Sequence, residues 1–453
     1  MELRSKLSCK RLADYKSERP IMSKKINGAL ALLALFCLIA GSLLTQSHAQ
    51  TGGVGTAQNA AIVSAAAAVL KETSELRELS ILRAVKSGAQ SRADIERMIV
   101  KNLDAETTPA EMHAAEVLLK AFGLAPKEFA YRPFLIKLLT EQVAGYYDPK
   151  AQQFYLADWL ELEGQKPVMA HELTHALQDQ HFNLKRFEKW PKGDSDAELA
   201  AHALIEGDAT LAMTLYMAKN PLVALAFIRT LGAQEAASEQ FKQAPRALRE
   251  SLLFPYEEGS AWATQVYRRG GWEMVSQAFS KLPQSTEQIL HAEKYFAYEA
   301  PQKLTLPDFR GVLGPSWKRI DYDVNGEWGA YLILDEFLNN ATESKRAAAG
   351  WGGDRFTIYE TGKPDEIFVA QLTAWDTPLD AKEFFDAYSK RTLKRYPQAR
   401  ESKSTTERGE RIEWQTSAGE IVMELRGSRV AIFEGIPSKT NPNVLLRMTW
   451  QHR

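Results

Sequence analysis

The stretch Val168-Met169-Ala170-His171-Glu172-Leu173-Thr174-His175-Ala176-Leu177 decides how this chain reads. His171 and His175 are four positions apart, so on a helix they stand one turn apart on the same face. Two imidazoles so placed can share one tetrahedral Zn²⁺, and Glu172 beside the first is directed at a water that the ion acidifies. Apolar residues flank the pattern on both sides. Apart from Glu172, no charge lies between the histidines, which suits a buried helix at the floor of a cleft. The bland alternative is a helix with two hydrogen-bonded histidines and a surface glutamate.

A catalytic zinc site takes three protein ligands and keeps one position open. Downstream, Asp194-Ser195-Asp196 starts a predicted helix that runs to about Lys219 and stops before Pro221. On one of its faces Leu199, Ala203, Glu206, Ala209, Thr210 and Met213 fall together. A carboxylate in that stripe is costly unless paired or metal-bound, and Ala203, Gly207 and Ala209 admit close approach of the HExxH helix. His181 competes, because His171 to His181 has the outer spacing of the metzincin pattern HExxHxxGxxH. That pattern needs a glycine where this chain has Gln178, and glutamine adopts positive φ poorly. If the helix continues, His181 is rotated roughly 120° from His175 and lies beyond reach of the metal. His202, one turn before Glu206, is a third candidate. Glu206 is the expected ligand.

Outward from this centre, Gly145-Tyr146-Tyr147-Asp148-Pro149 to Ala157 reads as a β-hairpin around the turn signal Asp148-Pro149. Upstream the periodicity is helical, with starts marked by Ser91-Arg92-Ala93-Asp94 and Thr107-Thr108-Pro109-Ala110-Glu111. Residues 222–299 are again helical, broken by Pro255, Gly270-Gly271 and Pro283. The last hundred residues differ: strands at Arg355–Glu360 and Ile367–Ala374, a helix over Leu379–Tyr396, then three strands towards Arg453. The expected fold is α+β: a mainly helical catalytic domain over 66–345 with a short hairpin or sheet, and a smaller α+β accessory domain over 350–453.

Residues 1–49 read as a signal region. Lys24-Lys25 precede an apolar run from Ala29 to Ala40, and a small-x-small cleavage site falls at Ala49-Gln50. Met22 is an alternative start, and residues 50–65 form a mobile lead. The run is shorter than a membrane span needs, so the mature chain has none unless the signal stays uncleaved. Phe36 before Cys37 argues against lipoprotein processing. Both cysteines, Cys9 and Cys37, would be lost, leaving no disulfide and no competing thiol. This places the protein outside the cytoplasm, in the periplasm or secreted. Acidic and basic residues number 57 and 56, so the net charge of −1 argues against nucleic acid as a partner.

His171-Glu172-x-x-His175 followed by Glu206-Gly207-Asp208-Ala209 resembles the gluzincins, the thermolysin-like zinc metallopeptidases. The resemblance covers roughly residues 140–220. The chain is also similar to secreted bacterial proteins of uncertain function that share GYYDP, HELTHALQDQH, EGDA and STEQILH. The resemblance to gluzincins implies His171, His175 and Glu206 as ligands and Glu172 as catalytic base. Two departures stand out: the gap from His175 to Glu206 is longer than in thermolysin, and Thr210 replaces an Asp that orients a zinc histidine. Asp208 or Asp179 would then be the acceptor. The resemblance further implies an edge strand that binds substrate, for which the hairpin is the candidate, and a histidine or tyrosine donor for the transition state. His291, Tyr295 and Tyr256 are the candidates. Asp321 to Gly326 matches half of an EF-hand loop, but Leu332 stands where the bidentate Glu belongs, so it reads as a turn. The expectation is an exported zinc metallopeptidase acting on peptides or proteins. The alternatives are a zinc-retaining envelope scaffold with little catalysis, and a non-peptide amidase.

Overall fold

Side-chain caps set where the first helices begin. Ser91 accepts the N–H of Asp94, and Thr108 and Glu111 form a reciprocal capping box ahead of Pro109. The computed structural model describes residues 56–452, apart from 188–189, 191–192, 235–242, 364 and 407–408. The signal region expected over 1–49 lies outside the described residues. The mobile lead expected to reach residue 65 is corrected: α1 (Thr56–Arg77) is helical from the first described residue. Ile62, Ala66, Val69 and Leu70 recur along one face, and their burial against Met169, Leu173 and Leu177 holds it.

Next come β1 (Lys86–Gln90), α2 (Arg92–Glu106), α3 (Pro109–Ala121), α4 (Tyr131–Gln142), β2 (Gly145–Asp148) and β3 (Gln153–Ala157). The expected hairpin is present: β2 and β3 are antiparallel, and the Asp148 carboxylate accepts the N–H groups of Lys150 and Ala151 in the turn. β1 adds parallel to the far side of β3, so the order is β1-β3-β2, and among the described residues no strand pairs with the outer edge of β2.

Four long helices follow: α5 (Leu162–Phe182), α6 (Ser195–Lys219), α7 (Pro221–Gln234) and α8 (Arg246–Ala278). α8 continues through Pro255, where the sequence suggests a break, with Phe254 and Pro255 both buried. It breaks instead at Gly270-Gly271, where Gly271 has φ 64°. α6 and α8 cross with backbones in contact: a Cβ on Gly207 would lie 2.2 Å from the Gly259 carbonyl oxygen, and one on Gly259 2.3 Å from that of Ala203.

The chain continues through α9 (Thr286–Leu290), α10 (Ala292–Ala297), α11 (Arg310–Leu313), β4 (Lys318–Asp323), α12 (Gly326–Leu338) and α13 (Ala341–Ala348). It ends with β5 (Trp351–Glu360), β6 (Ile367–Trp375), α14 (Pro378–Arg395), β7 (Arg400–Thr406), β8 (Gly409–Thr416), β9 (Gly419–Arg426), β10 (Arg429–Ile436) and α15 (Pro442–Gln451). The sheet is antiparallel and seven-stranded, in the order β4-β5-β6-β10-β9-β8-β7. Four strands follow α14 where three were expected, and the chain closes on a helix. Asn441 caps α15 with Pro442 in its first turn, and Leu445, Leu446 and Thr449 bury one face.

The architecture is thus mixed α+β with two sheets. A division at 345–350 would cut β4 from its partner β5. One apolar core runs from Val117 and Phe122 through α6, α8 and α12 to Trp414 and Ile432. Buried Arg391 ties the two halves, donating to the Phe122 carbonyl after α3 and to Glu434 on β10.

Candidate metal centre

α5 carries the HExxH residues and does not turn at Gln178. It continues to Phe182 and stops at Asn183, whose φ of 57° is left-handed. His181 is therefore carried round the axis, and its Nε2 meets the Ser80 carbonyl at 2.8 Å. The metzincin-like alternative falls on that geometry. His202 is exposed on α6, away from the cluster.

Glu206 reaches the two histidines from α6. Its Oε2 lies 3.0 Å from His171 Nε2 and 3.3 Å from His175 Nε2, and the two nitrogens are 3.1 Å apart. The imidazole planes are nearly perpendicular, at 87°, so both Nε2 atoms and the carboxylate oxygen converge on one point. Donors around a tetrahedral ion with bonds of about 2.0–2.2 Å sit about 3.3 Å apart. The triangle fits a small divalent cation, and two imidazoles with one carboxylate form a donor set such a cation takes. His171, His175 and Glu206 are the described residues that could hold it.

The electrostatics follow from the crowding. Burial opposes charge on Glu206, yet the adjacent histidines hold its carboxyl far below the usual range. Burial also opposes charge on His175, and Glu206 outweighs it, raising the imidazole above its ordinary value. Glu172, one position on from His171, is not among the converging donors. Burial pushes its carboxyl up, and its Oε2 accepts the backbone N–H of Tyr147 on β2 at 3.0 Å. The outer edge of β2 therefore lies beside Glu172.

Of the three expected donors, only Tyr256 is at the centre. Its ring stacks on His171, centroids 5.9 Å apart and planes 28° off parallel, because the α6–α8 contact at Gly259 brings that turn of α8 over α5. His291 and Tyr295 are corrected by their placement. His291 Nε2 pairs with Glu327 Oε1 at 2.8 Å, and the Tyr295 hydroxyl donates to the Lys281 carbonyl with its ring against Trp262. α9, which precedes them, meets α6 at Asp196, ten positions or about 15 Å of helix before Glu206.

Two contacts escaped the sequence. Gln178 Oε1 lies 2.8 Å from His175 Nδ1, and the Tyr147 hydroxyl reaches Asp179, strapping β2 over α5. Asp179 is thus engaged by Tyr147 and Arg83 rather than by a histidine. Gln178 stands one turn beyond His175, a spacing that could have flagged it. Tyr147 had no such signal. Asp323 spends its carboxylate on Ser195 and Asp321 lies in β4, so the half EF-hand is a strand-to-helix turn. The acidic group Glu287, Glu299 and Asp376 surrounds Lys294, whose ammonium binds all three and takes the place a cation would fill.

A family model described as a domain of unknown function, DUF8575, matches residues 314–445, from β4 to α15, outside the His171, His175 and Glu206 cluster. No curated protein and no solved structure matches the chain.

Proposed function

We propose that this protein is an exported zinc-dependent metallopeptidase, with His171, His175 and Glu206 as ligands and Glu172 as general base. The observation that carries the reading is the Glu206 carboxylate oxygen arriving from a second helix at the point where both HExxH imidazoles aim. Three converging protein donors leave a fourth position, which distinguishes a catalytic donor set from a closed four-ligand structural one. A zinc ion held there would polarise a carbonyl and acidify water.

The chain's own residues supply the rest. Glu172 takes a proton from the attacking water as oxygen adds to the peptide carbonyl carbon. It then delivers that proton to the leaving nitrogen as the C–N bond breaks, giving a carboxylate and an amine. Burial pushes its carboxyl up from the ordinary value, the direction that favours holding a proton. β2 offers its edge to an extended peptide next to Glu172. Tyr256, whose ring stacks on His171, is the proposed donor to oxygen as it gains charge. The test is metal analysis of the purified protein together with a peptide-library cleavage assay on wild type and Glu172→Gln. Bound zinc with cleavage abolished by the substitution is expected; zinc without any Glu172-dependent cleavage would defeat the reading.

A further inference from the structure

From His175 a chain of hydrogen bonds leads away from the metal point and out to the first helix. Gln178 Nε2 lies 3.0 Å from the Ile205 carbonyl and 2.9 Å from Asp208 Oδ2. Both are acceptors, so the amide nitrogen must face them and Oε1 must face His175. The proton on that contact then belongs to the imidazole: Nδ1–H donates to Gln178, which leaves the lone pair of Nε2 aimed at the metal point.

Asp208 is anchored in turn. Arg77, the last residue of α1, donates from Nε to Asp208 Oδ1 at 2.5 Å and from Nη2 to Oδ2 at 3.2 Å. Both side chains are 0% exposed. The guanidinium lies 4.4 Å from the Trp272 ring centre and donates from Nη1 to Ser276 on α8. Arg77 therefore holds both Asp208 oxygens, and Oδ2 is presented to Gln178 Nε2 as its acceptor, which fixes the face of the amide that His175 meets.

We propose that Arg77, Asp208 and Gln178 are positioning residues that fix His175 in its metal-binding tautomer, making α1 a working part of the metal site. The inference rests on the metal reading above, not on peptidase activity. A metal-ligating histidine ordinarily donates its other N–H to a carboxylate or backbone carbonyl. Here an amide intervenes, and the charge that fixes it stands 131 positions away in sequence from its partner.

The test measures zinc affinity by competition with a chromophoric chelator and, separately, the denaturant midpoint of the metal-free protein. Gln178→Leu removes the acceptor and leaves the Arg77–Asp208 pair intact. Arg77→Met combined with Asp208→Leu removes both buried charges, so neither is stranded. Each should bind zinc roughly 10–100-fold more weakly than wild type. In the zinc-loaded wild type the His175 Nδ1–H proton should resonate far downfield and be protected from exchange, and Gln178→Leu should lose that resonance. A merely structural role would leave it in place. Wild-type affinity in Gln178→Leu would overturn the relay, whatever the fate of the double variant. If wild type binds no zinc, the metal reading falls and the relay with it. If it binds zinc tightly but cleaves nothing, only the peptidase reading falls.

Discussion

Glu206 is the residue on which the metal reading turns, because its oxygen closes the triangle that the two imidazoles leave open. Glu206→Gln keeps the shape but offers a neutral amide. Metal affinity should fall by more than the roughly 10–100-fold typical of an outer hydrogen-bond partner. His181→Ala, removing a side chain bonded to the Ser80 carbonyl, should leave metal content unchanged; the opposite pattern in metal analysis would reassign the ligand. Tyr256→Phe separates binding from chemistry. It keeps the ring over His171 and removes the hydroxyl. The metal should stay bound while kcat falls about 100-fold, the scale of losing one transition-state donor. His291→Ala should leave kcat within about twofold, since His291 is engaged with Glu327. Steady-state kinetics on one cleaved peptide decide both.

At the scale of elements, the site depends on α6 lying directly against α8. Gly207→Ala would place a methyl carbon 2.2 Å from a backbone carbonyl oxygen that cannot swing aside. The helices would have to part, at a cost of about 1–3 kcal/mol or more. The adjoining Glu206 would shift with its helix, so metal affinity and denaturant midpoint should both drop, whereas Ala209→Gly should lower stability by only about 1 kcal/mol. This contact also explains what the sequence could and could not disclose. The three converging side chains sit on two helices whose faces are readable from spacing alone, so the cluster of His171, His175 and Glu206 was legible, as were the hairpin and the capped helix starts. β1 pairs in parallel with a strand more than sixty positions later without any local turn to announce it. Tyr147 meets Asp179 across two elements, and Arg77 meets Asp208 across most of the N-terminal half. Such contacts are properties of packing, and no periodicity encodes them. His291 and Tyr295 looked right by residue type, but type does not say which end of α6 a later helix will meet.

For the whole molecule, the buried acids away from the metal make stability depend on pH. Burial pushes Glu287 up to about 7 despite its bond to Lys294, and Glu257 likewise to about 7. Asp321 and Asp354 are pushed up to about 6, the latter against the N–H groups of Asn325 and Gly326. Their ordinary values are 4.5 for Glu and 3.8 for Asp. Between about pH 4 and 7 the folded protein therefore holds protons that the unfolded chain has released. Stability from these groups is full below their unfolded values and is lost as pH rises through the folded ones. His291, raised by its bond to Glu327, acts in the same direction. Asp308, held at about 2, Glu434 and Asp335 act oppositely, but their contribution is lost only as pH falls below about 4. Glu287 and Asp354 are the most buried of the raised set, and each would contribute on the order of 2–3 kcal/mol. Metal-free protein, in which proton competition for His171 and His175 cannot mask the trend, should show a higher urea midpoint at pH 5 than at pH 8. Glu287→Gln should flatten that slope by removing one of the protons released. A midpoint that stayed level or rose across the interval would mean these carboxylates are ionised in the fold, with Lys294 and the backbone donors outweighing burial.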